Sequence, residues 1–483
     1  MKAKSLAQNT LFLTLASALQ KVIAFVYYSY LATGIGPAAT GKYNFALQFA
    51  SIFVIFMDFG LGPVLTREGA RHEHEVEQNF RHTLGLKIVL ICISLVAMAG
   101  VSAFGLTQFK NIDSTDLLLI GLAGIVIIFD TLTFSLFSTF RAFRNLAVES
   151  IAVVMYQLII FGFGIFFITQ HYPTPFLVGA LIAGSLSNMI FVAILLKRKT
   201  HISFRPIFDR VQFKHLLRLS IPFALAGIFF KLSGSVDTIL LKILSEDRFV
   251  GWYSLAYKLS FALTVLPGSF ASSFFPVAAA TFESEKTKLG SLFEKGTMYM
   301  MALSLPIAVG IFFLSDEIIF SVYGQAWEAS VNPLKILGVA LIFTFWNYPV
   351  GNLLNAANKQ TLNTSNMAIA LVVNIACNLL LIPKYTFIGA ASSALISSLV
   401  LVLLGLPHVK KLTHFSWRSI FKQLFGIAAA AAAMGGLLVG LESVVKWYIL
   451  VAISAVTYLI LLRLVGVISA QDLQPILKRV WKK

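Results

Sequence analysis

The chain alternates long apolar runs with short, base-rich polar breaks. An α-helix needs about 20 apolar residues to cross a bilayer core, and about fourteen runs meet that length. They fall at 9–33, 43–64, 86–107, 117–140, 151–170, 175–196, 219–244, 252–280, 298–321, 331–354, 363–383, 386–407, 423–440 and 447–466. Polar positions inside the runs follow a helical period. On the first, Thr14, Ser17, Lys21 and Tyr28 share one face, as do Gly227, Lys231, Gly234 and Thr238 on the seventh. Asn44 and Gln48 lie one turn apart on the second run, and Asn374 and Asn378 on the eleventh. Polar side chains within a span face the bundle interior or water. Helices 1, 2, 7 and 8 are therefore expected to line a shared hydrophilic cleft.

The breaks sort by charge. Counting alternate loops, roughly 26 Lys and Arg fall on the side of the N-terminus and about 5 on the other. This predicts a multi-pass protein of the cytoplasmic (inner) membrane with both termini cytoplasmic. The segments 203–218 and 471–483 mix bases with apolar residues and are read as interfacial helices, the first equally well as a solvated basic linker. The net charge of +17 therefore reflects topology, and no nucleic-acid partner is expected. Only 12% of residues are charged, against about 25% in a soluble domain. Lys2, Lys4 and Ala16-Ser17-Ala18 imitate a signal peptide, but the apolar run continues to Thr33 and reads as a span. Outer loops of about a dozen residues or fewer leave no room for a catalytic domain. No nucleotide, metal-ligand or nucleophile motif is present, so no catalytic residues, metal or cofactor are expected. Cys92 and Cys377 fall inside spans and read as packing residues.

A shift of 210 residues reveals a repeat. Gly41-Lys42-Tyr43-Asn44-Phe45-Ala46 meets Gly251-Trp252-Tyr253-Ser254-Leu255-Ala256, Gly179-Ala180 meets Gly389-Ala390, and Lys21 meets Lys231. Six spans used twice keep the same orientation, a parallel repeat that places a substrate cavity between its halves. The expected fold is an all-α membrane protein: a six-helix lobe (1–200), a cytoplasmic linker (201–218), a second six-helix lobe (219–412) and two extra helices with a basic tail (413–483).

The deep charges carry the chemistry. A charge at the bilayer centre costs about 2.5 kcal/mol or more, so intramembrane ions are functional candidates. Lys21 and Lys231 either hold an anion or pair with acids such as Asp237. Asp237 and Asp130 are candidates for ion coupling or counter-ions. Lys258 either meets substrate or snorkels; Lys242 and Lys335 read as snorkelling, and Asp58 as a helix-end contact. Tyr28, Asn44 and Gln48 belong to the candidate cleft. Tyr27, Tyr28, Trp252, Tyr253 and Trp327 read as an interfacial belt. Arg141 and Arg144 stand where a phosphate would enter, though charge sorting explains them equally well.

Several stretches resemble the oligosaccharide flippase family. These are Gly34-Ile35-Gly36-Pro37, Gly41-Lys42-Tyr43, Phe59-Gly60-Leu61-Gly62 and Thr66-Arg67-Glu68, then Val236-Asp237-Thr238-Ile239-Leu240-Leu241, Val250 through Lys258, Phe274-Phe275-Pro276, Asn374 through Asn378, Leu381 through Tyr385 and Gly389-Ala390-Ala391. The resemblance covers roughly 9–410 and places the chain beside O-antigen flippases, lipid II flippases and multidrug exporters. It implies two six-helix lobes in a V shape and transfer of an undecaprenyl-diphosphate-linked glycan between leaflets for cell-surface polysaccharide biosynthesis. It further implies a cationic cavity, matched in kind by Lys21, Lys231 and Lys258. Lipid II flippases favour arginines there; a lysine lacks the bidentate fork. The expected partners are the lipid-linked glycan, membrane lipid and other polysaccharide-assembly proteins. The driving force would be a proton, sodium or the membrane potential. The alternatives are a cation-coupled multidrug exporter, disfavoured by a basic cavity, and a membrane glycan polymerase or ligase.

Overall fold

The structure, a computed structural model, describes residues 6–441, 444–464 and 466. The expected interfacial helix at 471–483 lies outside them. The described residues form helices and connecting turns, with no strand. In chain order these are α1 (Leu6–Asp58), α2 (Leu61–Arg71), α3 (Val76–Gln108), α4 (Ser114–Ala142), α5 (Ala147–Thr169), α6 (Thr174–Thr200) and α7 (Arg210–Leu244). They continue as α8 (Asp247–Ala262), α9 (Val265–Ser284), α10 (Leu289–Tyr323), α11 (Val331–Ala356), α12 (Gln360–Leu412), α13 (Trp417–Leu441) and α14 (Trp447–Leu464).

These helices do not correspond one to one with the expected spans. A straight α1 of 53 residues would be about 80 Å long, far beyond a core of about 30 Å. It breaks instead at Gly36, whose φ of 75° and ψ of 174° suit a residue without Cβ, and Pro37 then opens the second arm. The Asn44 Nδ2 donates to the Tyr28 hydroxyl at 2.8 Å. In a straight helix those residues would be about 24 Å apart, so α1 is a hairpin. α12 repeats the device. It breaks at Thr386, and Asn374 reaches Ser397 at 3.4 Å. A Cβ on Gly389 would lie 2.5 Å from the Leu381 carbonyl oxygen, so only glycine lets this bend close.

The expected eighth span is also broken, at residues 263–264 between α8 and α9. Among the described residues, eleven helical stretches are long and apolar enough to cross a membrane, or twelve with the bent α7. The hairpins at α1 and α12 each fall within one of these stretches while holding two arms.

By packing, the chain divides into residues 1–254 and 255–483. The linker expected to part the lobes lies inside the first unit, because α7 packs on α1, α2 and α3. In this unit Phe80, Phe140, Val192, Leu196 and Ile202 are core residues that join α3, α4 and α6 to the linker. The linker departs from the interfacial helix expected at 203–218. Residues 202–209 are non-helical, and helix begins only at Arg210. The Ile207 N–H donates to the Arg81 carbonyl at 3.1 Å, Arg81 Nε donates to the Arg205 carbonyl at 2.9 Å, and the Ser203 N–H donates to Glu77 at 3.2 Å. Pro206 lacks an N–H and biases Arg205 away from helix, so amphipathic composition does not become a helix here.

In the second unit, Phe293, Leu353, Val402 and Val409 form the core where α10, α11 and α12 meet. The last two helices pack on α10, where the Tyr458 hydroxyl donates to the Ala302 carbonyl at 2.9 Å. The repeat also shows in burial: residues 41–50 and 251–260 follow the same order of buried and half-buried positions. The aromatic belt is partly corrected: Tyr27, Tyr28, Tyr253 and Trp327 are buried. Cys92 and Cys377 are free thiols, and Cys92 is exposed, so packing does not account for it.

Candidate substrate-translocation site

Two glycines 210 residues apart bring the repeats together. A Cβ on Gly41 would lie 2.0 Å from the Asp247 carbonyl oxygen, and a Cβ on Gly251 would lie 2.0 Å from that of Pro37. Pro37 and Asp247 are themselves 210 residues apart, so the contact is reciprocal. The backbones touch here, and only glycine fits.

Paired charges surround this crossing. Asp113 and Asp116 form a capping box at the start of α4. The Asp116 carboxylate also accepts from Lys242 Nζ at 2.8 Å, and both side chains are fully buried. Lys242 bonds Asp247 as well. Lys42 bonds Asp113 and lies 3.7 Å from Asp247. Asn111 Nδ2 adds a hydrogen bond to the Ile243 carbonyl at 3.1 Å. Partial desolvation raises the Asp113 carboxyl, but the Lys42 hydrogen bond and the Asp116 amide outweigh it and leave it below its ordinary value. Lys242 therefore does not snorkel: its side chain is fully buried, with Asp116 and Asp247 in direct contact. Lys335, also expected to snorkel, bonds Asp316 at 2.6 Å in the second unit.

At the opposite end of the first unit, Lys87 is fully buried. It donates to Asp58 at 2.7 Å, to the Thr131 carbonyl at 2.9 Å and to Ser135 at 2.6 Å. The helix-end contact expected of Asp58 is this ion pair. Lys87 itself was not singled out by its sequence position.

Between these ends lie the candidate cleft residues, and the hydrogen bonds set their depth. Tyr28 is level with Asn44 across the hairpin. Lys21, seven residues earlier, is therefore level with Ser51 on the antiparallel arm. Ser235 Oγ donates to Gln48 Oε1 at 3.1 Å, and Gly227 packs near Ile55, so α7 also runs antiparallel to that arm. Lys231, four residues before Ser235, is therefore level with Ile52. The two repeat-related lysines thus share a depth to within about one residue, or about 1.5 Å. Lys21 is exposed and Lys231 half-buried. Neither makes a hydrogen bond or ion pair with another described residue.

The other candidates are placed as follows. Asp237 is buried and accepts from the Tyr253 hydroxyl at 2.8 Å. Asp130 accepts from Ser185 Oγ at 2.6 Å, tying α4 to α6. Arg141 is held by two hydrogen bonds from its guanidinium to Glu149, with Nε to Oε2 at 2.8 Å. Arg144 occupies the following turn at φ 56°. Lys258 is half-buried in α8 and belongs to the second unit. The structure thus sets Tyr28, Asn44 and Gln48 in hydrogen bonds between antiparallel helices, with Lys21 and Lys231 about two turns or less farther along them. Arg141, Arg144 and Asp130 lie elsewhere in the first unit. No group of three or more metal-ligating side chains occurs among the described residues.

The fold and its apolar helices define a multi-pass helical membrane protein. The family model described as polysaccharide biosynthesis protein matches residues 6–282, and the chain belongs to that family. The capsular polysaccharide biosynthesis protein CapF of Staphylococcus aureus is 23% identical over 76% of this chain and 90% of its own length. The probable low-salt glycan biosynthesis flippase Agl15 of Haloferax volcanii is 22% identical over 59% of each chain, so this chain spans only about three-fifths of that relative. Among solved structures, the lipid II flippase MurJ in an inward closed conformation matches with a TM-score of 0.76 at 16% identity, over 94% of this chain and 98% of its own. That match carries the fold.

Proposed function

We propose that this chain flips a polyprenyl-diphosphate-linked oligosaccharide from the inner to the outer leaflet by alternating access across fourteen spans. Counting both arms of α1 and α12, with α7 as one bent span, supports that number. One observation carries the chemistry. Lys87 and Lys242 are as deeply placed in the fold as any cation, and each is bonded to aspartate. Lys21 and Lys231, related by the repeat and level with each other, bond to no described acid. An unmatched ammonium in a span is unfavourable by about 2.5 kcal/mol or more. A diphosphate passing at that depth would offset this, while hydroxyls of the glycan meet Gln48, Asn44 and Tyr28.

In the proposed cycle the glycine crossing and its ion pairs close the outer end. Opening there requires Lys242 and Lys42 to part from aspartates contributed by other helices. Export of an anion is favoured by a negative interior, by about 2.3 kcal/mol per charge per 100 mV. Asp130 and Asp237 remain the candidates for proton or sodium coupling.

The test is reconstitution into liposomes with a fluorescent polyprenyl-diphosphate glycan in the inner leaflet. Transfer that requires Lys21 and Lys231 supports the reading. Unchanged transfer by both alanine variants would sink it.

A further inference from the structure

The first turns of α7 carry a cationic feature that the flippase cycle does not use. Arg210, Lys214 and Arg218 recur every four residues and share one face. With Phe213, Leu217 and Ile221 they line an open groove of ≈ 440 Å³. All three bases are exposed, and none makes a hydrogen bond or ion pair with another described residue. The amides at this helix end are already engaged, since Asp209 accepts from the Val211 N–H at 2.8 Å and from the Gln212 N–H at 3.4 Å. The positive potential therefore belongs to the side chains.

Two further observations shape the ligand. First, the groove is fixed in place. The strap at 202–209 is hydrogen-bonded to the start of α3, and the buried Leu216, with Phe213 and Leu217 beside it, packs on Leu61, Val64 and Leu86. Second, the lining changes along the helix. Beyond the bases, Leu217 leads to Ile221 and Leu225, which are 46% and 48% exposed, one turn apart and running into the span. A cluster of three bases in an open groove that gives way to an exposed apolar stripe complements a lipid that carries a phosphate. Charge sorting alone would leave bases in water; it would not set them in a groove that continues as an exposed apolar stripe.

We infer that this groove holds one anionic phospholipid, its phosphate among Arg210, Lys214 and Arg218 and an acyl chain along Leu217, Ile221 and Leu225. The inference requires only that α7 enters the bilayer near Leu219, so it stands or falls apart from the flippase reading.

The full chain, purified in detergent, is titrated with phosphatidylglycerol, phosphatidylcholine, inorganic phosphate or farnesyl diphosphate while thermal unfolding is followed. Phosphatidylglycerol should raise the midpoint, and the Arg210→Gln/Lys214→Gln/Arg218→Gln variant should bind it at least tenfold more weakly while keeping its midpoint in phosphatidylcholine. Equal response of the variant, or equal response to phosphatidylcholine, would overturn the site. A response to inorganic phosphate or farnesyl diphosphate but not to phosphatidylglycerol would overturn the assigned ligand. If the variant does not fold, native mass spectrometry of the unaltered chain decides: retention of phosphatidylglycerol over phosphatidylcholine supports the site, and no preference rejects it.

Discussion

The two ends of one lysine pattern behave differently in the first unit. At the glycine crossing, Lys42 and Lys242 are matched by Asp113, Asp116 and Asp247. Deeper along the same helices, Lys21 and Lys231 have no described acid. A charge removed from water is tolerated when it is paired and hydrogen-bonded. The crossing therefore reads as a fastening complete within the protein, and the deeper pair as a site that waits for an anion. The comparison makes the two regions separable by experiment: damage to the first should reach stability, and damage to the second should reach transport.

The largest effect is expected at Lys242. Truncating one member of a buried ion pair leaves an uncompensated charge and costs about 3–5 kcal/mol. Lys242→Ala strands Asp116, whose side chain is fully buried, so chemical or thermal unfolding should show a loss of that size. A loss below about 1 kcal/mol would mean the pair is solvated and the comparison fails. Gly41→Ala comes next. Its new methyl would sit 2.0 Å from a backbone oxygen that cannot swing aside, and overpacking of this kind costs about 1–3 kcal/mol. Gly251→Ala should match it, because the contact is reciprocal; a large difference between the two would break the proposed symmetry.

Lys21→Ala sharpens the contrast from the other side. Removing an unmatched cation should leave stability unchanged or raised while lowering transfer of the lipid-linked glycan about tenfold or more, equivalent to about 1.4 kcal/mol. Lys231→Ala should behave alike. If either variant instead unfolds like Lys242→Ala, the deep lysines are structural and the proposed site is lost.

The sequence carried the repeat because repeated local chemistry survives in it: Gly41 with Gly251 and Lys21 with Lys231 align without any knowledge of packing. The hairpin in α1 was legible for the same reason, since Gly34-Ile35-Gly36-Pro37 is a local breaker. Lys242 was misread because its partner Asp116 lies on another helix, 126 residues away in number, and a lysine near a span end looks the same whether it snorkels or pairs. Arg141 resisted assignment for a related reason. Its role depends on Glu149 folding back across a turn, which neither charge counting nor periodicity reveals. The strap at 202–209 was obscured by composition: bases mixed with Phe and Ile resemble an amphipathic helix until the hydrogen bonds to Arg81 and Glu77 are known.

The smallest effect concerns pH at the crossing. Asp113 is about half exposed, so solvent screens its pair with Lys42. Its carboxyl lies below the ordinary value of 3.8 in the folded chain. A lowered folded value means that the unfolded chain takes up the proton first, so the contribution is complete above 3.8 and is lost as pH falls through the lower folded value. The stability gap between the unaltered chain and Asp113→Asn should therefore be constant near neutrality and narrow only in strong acid. Added salt should shrink the same gap at neutral pH, because an exposed pair is screened within a Debye length of about 8 Å at physiological ionic strength. The buried Lys242–Asp116 pair should resist that salt. A gap at Asp113 that ignores both acid and salt would mean that the charge of this carboxylate, and with it the ion pair to Lys42, contributes nothing to stability.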